Sequence, residues 1–207
     1  MAPKKNPDLH GNVPDNAEAA LLLIDVINDL EFDRGELLLK HALPMAERLA
    51  GLKRGAKQAG IPVVYVNDNF GKWRSDFTAI LEHCLGDGVR GRPIAELLRP
   101  EEDDYFVLKP KHSGFFSTAL DTLLDYLRAT TLVLTGLTSD NCVLFTASDA
   151  YIRDFDLIVP ADCVASIEAE DNARALGHMQ KVLRVDTTIS TALDLPALVR
   201  RVHRPSA

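Results

Sequence analysis

A single α/β domain, with a mostly parallel sheet covered by helices on both faces, is the fold class this sequence predicts. Three observations carry that expectation. Short apolar strands alternate with amphipathic helices along the chain, a pattern that gives parallel strands joined by right-handed crossovers. The first strand, Ala20 to Asp25, is too continuously apolar for a half-exposed position and suits one buried on both faces. The 207 residues, 46% hydrophobic and 26% charged, contain no internal repeat and no low-complexity linker, as expected of one packed core. The architecture is therefore three layers, α/β/α, around six strands. The domain is expected to span residues 16–207, with residues 1–15 as a loosely attached tail.

The elements follow in order. After the first strand, a helical pattern runs from about Pro44 to Ala59, with Leu49, Leu52 and Ala56 on one face and Gly60 as the stop signal. The second strand is Ile61 to Asn67, whose proline sits near its start, where it is tolerated. Residues 72–100 are less regular and predict two short helices around a glycine-rich loop. Tyr105 to Leu108 reads as the third strand and Thr118 to Arg128 as its helix. Thr131 to Thr135 is the fourth strand, followed by a helix on which Val143, Ala147, Ala150 and Tyr151 share a face. Leu157 to Val159 gives the fifth strand and Ala169 to Lys181 a helix. Leu183 to Val185 gives a short sixth strand, and Pro196 to His203 a final helix.

Charge and composition exclude several function classes. With 30 acidic and 23 basic residues the net charge is −7, so general binding to a phosphate backbone is not expected. The apolar runs fall far short of the ~20 residues needed to span a bilayer, and no membrane association is expected. The basic start, Met1 to Lys5, is not followed by an apolar stretch and does not read as a secretory signal. Three cysteines, Cys84, Cys142 and Cys163, cannot all pair and form no C-x-x-C motif, which points to a reduced, cytoplasmic protein.

In open parallel sheets, reactive groups gather beyond the carboxyl ends of the strands. Three such ends carry polar residues of interest here. The first strand ends at Asp25, either a cap for the next segment or a carboxylate held at low dielectric. The third leads into Lys109, which taken alone reads as a solvated loop residue. The fourth leads into Gly136 to Val143, where Thr138, Ser139 and Asp140 are all helix-capping types. That places Cys142 in a first helical turn, where the dipole is expected to lower a thiol's pKa; a buried structural cysteine is the alternative. An acid, a cation and a thiol are the base, charge stabiliser and nucleophile of a cysteine hydrolase.

These residues resemble the signature of the isochorismatase-like cysteine hydrolases, the superfamily of nicotinamidase, N-carbamoylsarcosine amidase and isochorismatase. The resemblance runs from about Ala19 to Asp186. It rests on Leu22, Leu23, Ile24, Asp25, Asn28 and Asp29; on Lys109, Ser113, Gly114, Phe115, Thr118 and Leu120; and on Gly136, Thr138, Cys142, Val143, Thr146, Ala147, Asp149 and Ala150. It implies strand order 3-2-1-4-5-6, which sets the first and fourth strands side by side and brings Asp25 and Cys142 together. It implies Asp25, Lys109 and Cys142 as the catalytic residues. It further implies a non-proline cis peptide at Leu137–Thr138 and an oxyanion hole from the backbone N–H groups of Thr138 and Cys142. Members are commonly dimers or larger, so a homo-oligomer is expected.

The chain departs from the nicotinamidases where they carry a metal-binding Asp-x-His element. Asp68 occupies the acidic position, but Phe70 stands in place of the histidine, so neither a metal site nor any other cofactor is expected. Asn69, Phe70, Trp73 and Phe115 are candidates for lining a substrate pocket, with core or subunit contact as the alternative for the aromatics. Gly86, Gly88 and Gly91 fit a dinucleotide fingerprint literally but lack its preceding strand. The charge run Glu101 to Asp104 reads as a solvated loop, and Cys163 as a small packed residue. The expected activity is hydrolysis of a small amide or related carbonyl compound. The alternatives are a vinyl ether hydrolase and a non-catalytic binding relative.

Overall fold

The computed structural model describes residues 17–74 and 76–199; the expected tail over 1–15 lies outside them. Six parallel strands form one sheet in which β1 (Ala19–Ile24) is central. On one side β1 pairs with β2 (Val63–Asp68), and β2 with β3 (Tyr105–Lys109). On the other it pairs with β4 (Thr131–Leu137), and β4 with β5 (Asp156–Ile158). The order is β3-β2-β1-β4-β5. Among the described residues, no helix is long and apolar enough to cross a membrane.

Period-two alternation along β1 explains the three layers. Leu21 and Leu23 face one cluster, with Leu38, Ala42, Leu49 and Ala56 of helix α1 (Gly35–Gln58). Ala20, Leu22 and Ile24 face the other, with α4 (Leu120–Leu127), α5 (Leu144–Ile152) and α6 (Ala169–Leu183). The short helices α2 (Phe77–Cys84) and α3 (Arg92–Leu97) fill the irregular stretch between β2 and β3.

Helix α1 starts nine residues before the expected Pro44. Pro44 removes one intrahelical bond, to the carbonyl of Lys40. Both residues are exposed, so water can satisfy that carbonyl, and the buried Leu38 and Ala42 hold the earlier turns. The sixth strand also differs. Leu183 ends α6, and only a single bridge, Ile158 to Asp186, forms outside β5 where a sixth strand was expected. The sixth strand seen is instead β6 (Val164–Ala165), which pairs with Gly136 and Leu137 at the end of β4. Leu183, whose side chain packs under α6, satisfies its backbone within the helix. The last helix is described as α7 (Leu195–Val199), and the rest of its expected span lies outside the described residues.

The acidic run before β3 is not simply solvated. The Asp104 side chain is buried, 2.6 Å from Nζ of the buried Lys53 and 3.0 Å from that of Lys57. Lys53 also donates to the Tyr65 hydroxyl and the Arg99 carbonyl, so the run anchors α1 to the start of β3.

Candidate active site

The carboxyl ends of β1, β3 and β4 bring three side chains into contact. Lys109, the last residue of β3, is fully buried, and its Nζ lies 2.8 Å from Asp25 Oδ2. The same Nζ lies 3.5 Å from Cys142 Sγ and 3.5 Å from Asp68 Oδ2. Lys109 stands in register with Asp68 on β2, so its side chain reaches across the end of β2 to the residue that follows β1. Asp25 and Cys142 lie close enough for each to alter the other's proton affinity. The acid, cation and thiol thus meet at one point.

Local structure fixes each of them. Asp25 takes a left-handed backbone (φ 51°) at the end of β1, a conformation that Asp tolerates better than most residues. Its Oδ1 accepts the Asp68 N–H at 2.7 Å, and its own N–H donates to the Val66 carbonyl. The buried Asn67 accepts from the Ile27 N–H and donates to the Ile27 carbonyl, which clamps the segment after Asp25 to β2. Gly136 sits at φ 105°, where a Cβ would lie 2.1 Å from the Ile24 carbonyl oxygen. Only glycine lets β4 approach β1 so closely beside Asp25.

The nucleophile candidate sits on a wide turn. The Leu137–Thr138 peptide is cis, and residues Ser139–Val143 form one turn of π-helix before α5. The Thr138 carbonyl accepts from the N–H groups of Asn141 and Val143. Thr146 Oγ1 donates to the Cys142 carbonyl and accepts the Gly114 N–H. This couples the Cys142 helix to the loop that follows Lys109. Gly114 is needed there, since a Cβ would approach Val66 to 2.8 Å. Ser113 bonds Asp149 in the same seam, so the motif positions Ser113, Gly114, Thr146 and Asp149 lock the loop after β3 to α5.

The electrostatics correct one expectation. The thiol of Cys142 is pushed up to about 12, not down, by burial first and then by the charge of Asp25, against the pull of Lys109. Burial and the Asp25 charge outweigh the helix dipole in this environment and favour the thiol over the thiolate. Burial likewise raises Asp25, with Lys109 opposing it. Burial alone would depress Lys109, but Asp25, Cys142 and Asp68 hold it above its ordinary value. A carboxylate lifted toward neutrality beside a reluctant thiol is a pair poised to share one proton.

The expected pocket residues divide. Asn69 is buried and its Oδ1 accepts the Gly71 N–H, so its side chain holds its own turn. Phe70 (φ 52°) and Trp73 are exposed, Trp73 by 80%. Phe115 is not at a pocket mouth: it is 5% exposed, 6.1 Å from the Phe155 ring and under the Arg153 guanidinium at the far end of α5. Its side chain follows the inward face of the loop and joins the core. Two neighbours of the site were not assigned to it from sequence. His112 Nδ1 lies 3.9 Å from Sγ, with its ring against Phe145, and Asp68 touches Lys109. A loop histidine three residues past Lys109 carries no sequence signal of its direction.

A metal does not fit here. Asp68 Oδ1 accepts the Phe70 N–H at 2.6 Å while its Oδ2 faces Lys109, and His83 is engaged with Asp29 at 2.9 Å. Among the described residues, no group of three metal-ligating side chains converges.

Comparison with known proteins finds relatives over most of the chain. An uncharacterised isochorismatase family protein of Bacillus subtilis, YaaI, is 42% identical over 172 residues, covering 83% of this chain and 94% of that protein. The ureidoacrylate amidohydrolase RutB of Methylobacterium radiotolerans is 28% identical, over 93% of this chain and 82% of its own length. The crystal structure of N-carbamoylsarcosine amidase from Thermoplasma acidophilum superposes with a TM-score of 0.67 at 28% identity, over 86% of this chain and 99% of that one. The model of the isochorismatase domain matches residues 19–192, a span that holds all six strands and the convergent acid, lysine and thiol, and the chain therefore belongs to the isochorismatase family of hydrolases.

Proposed function

We propose that the protein is a cysteine hydrolase of a small amide or related carbonyl C–N bond, working through a thioester. The observation that carries this reading is the position of Lys109 Nζ, 2.8 Å from Asp25 and 3.5 Å from Cys142 Sγ. The amidase and amidohydrolase activities of similar proteins support the choice of bond.

We assign each step to a residue of the site. Asp25 takes the Sγ–H proton as the sulfur attacks the carbonyl carbon, forming the C–S bond. Concerted transfer suits a thiol that is not ionised at rest. The N–H groups of Thr138 and Cys142 hold the oxyanion, and Lys109 offsets the charge that moves between carboxylate, sulfur and oxyanion. Protonated Asp25 then gives its proton to the departing nitrogen as the C–N bond breaks. Water attacks the thioester as Asp25 accepts its proton, the C–S bond breaks to release the carboxylic acid, and Asp25 returns the proton to the sulfur. Asp25 and Lys109 wall the sulfur on its buried side. In this reading substrate approaches from the His112 and Phe145 side, with Phe70 and Trp73 as candidate outer contacts.

The same reading assigns no cofactor, a small-molecule substrate, assembly as a homo-oligomer and a cytoplasmic setting. All three cysteines are free thiols, which suits a reducing compartment. The deciding experiment screens a panel of small amides for ammonia or amine release with wild type and Cys142→Ala. Release by wild type that is lost in Cys142→Ala is expected; equal release by both would refute covalent catalysis.

A further inference from the structure

We infer that Ser166, which touches none of the reacting groups, is a positioning residue that fixes the turn carrying Cys142. The inference rests on the cysteine-hydrolase reading above and deepens it. Ser166 directly follows β6, whose two residues pair with Gly136 and Leu137 of β4. That pairing sets Ser166 beside Thr138, where β4 gives way to the π-turn.

Ser166 is buried, and its hydroxyl makes three contacts with that turn. It donates to Asp140 Oδ1 at 2.6 Å, lies 2.7 Å from the hydroxyl of the buried Ser139, and accepts from the Asp140 N–H at 3.4 Å. A hydroxyl has one hydrogen. Since that hydrogen goes to the carboxylate, Ser139 is the donor in the second contact. The network therefore has a single polarity, with Ser166 as its hub.

The turn needs outside support. A π-turn is wider and rarer than an α-turn, and this one stands on the Thr138 carbonyl, which takes both the Asn141 and Val143 N–H groups. Ser139 and Asp140 are the residues that lead into Asn141 and Cys142. Without Ser166, a buried hydroxyl and a backbone N–H lose their partner, and the turn can regain bonds by relaxing toward α-geometry. That rotation would carry Sγ away from Asp25 and Lys109. A displacement of about 1 Å at a reacting atom can reduce rate about a hundredfold.

The test compares Ser166→Ala, Ser166→Thr, Asp140→Ala and wild type in two measurements. One is kcat and KM for an amide that wild type hydrolyses. The other is the pH profile of Cys142 alkylation by iodoacetamide, read by mass spectrometry, which requires no substrate. The ionisable groups facing Sγ are Asp25, Lys109 and His112, and all are left intact.

Ser166→Ala is expected to lower kcat about 10–100-fold while KM changes less than about threefold. Its alkylation midpoint is expected to fall toward the ordinary cysteine value of about 8.5, because Sγ leaves the burial and charge that raise it. Ser166→Thr keeps the hydroxyl, and Ser166 lines a cavity of about 300 Å³, so this variant is expected to stay within about threefold of wild type. If Ser166→Ala does not fold, Asp140→Ala decides, since that side chain is exposed; it is expected to lower kcat and the midpoint in the same direction. Wild-type kcat and an unmoved alkylation profile in Ser166→Ala or Asp140→Ala would overturn the inference, as would a loss in Ser166→Thr equal to that in Ser166→Ala. Failure of the underlying reading looks different: wild type itself would release no amine.

Discussion

Asp25 and Lys109 form a 2.8 Å ion pair across the end of β2, with the lysine fully buried and the aspartate nearly so. Neither charge has an alternative partner of equal quality, since the Asp68 carboxylate is 3.5 Å away and partly exposed. Removing one partner leaves the other buried and uncompensated. Lys109→Met should therefore lower stability by about 3–5 kcal/mol, and the double variant Lys109→Met/Asp25→Asn should recover much of that loss. Urea melts of the four proteins close the cycle; additive effects would show that the pair is not coupled. Both variants are expected to lack turnover.

The charge of Asp25 also governs the sulfur. It raises the Cys142 thiol, and Lys109 opposes it. Asp25→Asn removes the raising charge and leaves the lowering one, so the thiol pKa should fall and the thiolate fraction at a given pH should rise. Alkylation of Cys142 by iodoacetamide at pH 8 is thus expected to be faster in Asp25→Asn than in wild type. Amide turnover should fall by at least about a hundredfold, because no base remains to take and return the proton. A more reactive sulfur in a less active enzyme separates the two roles of Asp25. Slower alkylation in Asp25→Asn would contradict this electrostatic assignment.

How much of this was legible in the sequence depends on what each residue's role required. Asp25 and Cys142 were legible as a pair only through the resemblance, whose strand order sets the first and fourth strands side by side, as β1 and β4 are. Lys109 was legible only through its motif, since nothing local shows that a strand-end lysine is buried. The direction of the Cys142 pKa was misread because a dipole can be placed from capping residues, whereas burial and the approach of Asp25 are tertiary. His112 and the Ser166 network were invisible for the same reason: each acts across about thirty residues of chain, by contacts that no periodicity encodes. β6 was missed because two residues are too short to show alternation, and Leu183 to Val185 looked like a strand because Leu183, the last residue of α6, and Val185 beyond it are both buried in the core.

Gly136 provides a test of the floor of the site. At φ 105°, with a Cβ position 2.1 Å from the Ile24 carbonyl oxygen, alanine meets both backbone strain and a backbone clash. Neither β1 nor β4 can shift without breaking the ladder that pairs Ile24 with Gly136. Gly136→Ala is expected to destabilise the fold by about 3 kcal/mol or more, seen as a lowered denaturation midpoint. Gly88, with φ 77° and no atom near its Cβ position, is the control: Gly88→Ala meets strain alone, and should cost about 1–2 kcal/mol. Equal losses at the two positions would show that the close approach of β4 to β1 is not what requires glycine.

Phe115 and Trp73 should separate stability from substrate contact. Phe115 is packed between the Phe155 ring and the Arg153 guanidinium within the helical layer of α4 and α5. Truncating it opens a cavity, and Phe115→Ala is expected to lower stability by about 3–5 kcal/mol. The stacked Arg153 also loses a partner, although it keeps its contact with Asp121. Trp73 is 80% exposed, so Trp73→Ala should change stability by no more than about 0.5 kcal/mol. If its indole meets substrate at the outer edge of the site, Trp73→Ala raises KM and leaves kcat nearly unchanged, the pattern of a contact made equally in ground and transition states. If the indole instead meets a second copy of the chain, the variant shifts the oligomer distribution in sedimentation and leaves the KM of the assembled form intact. A fall in kcat at constant KM would contradict both roles, because it would place an exposed side chain in the chemical step.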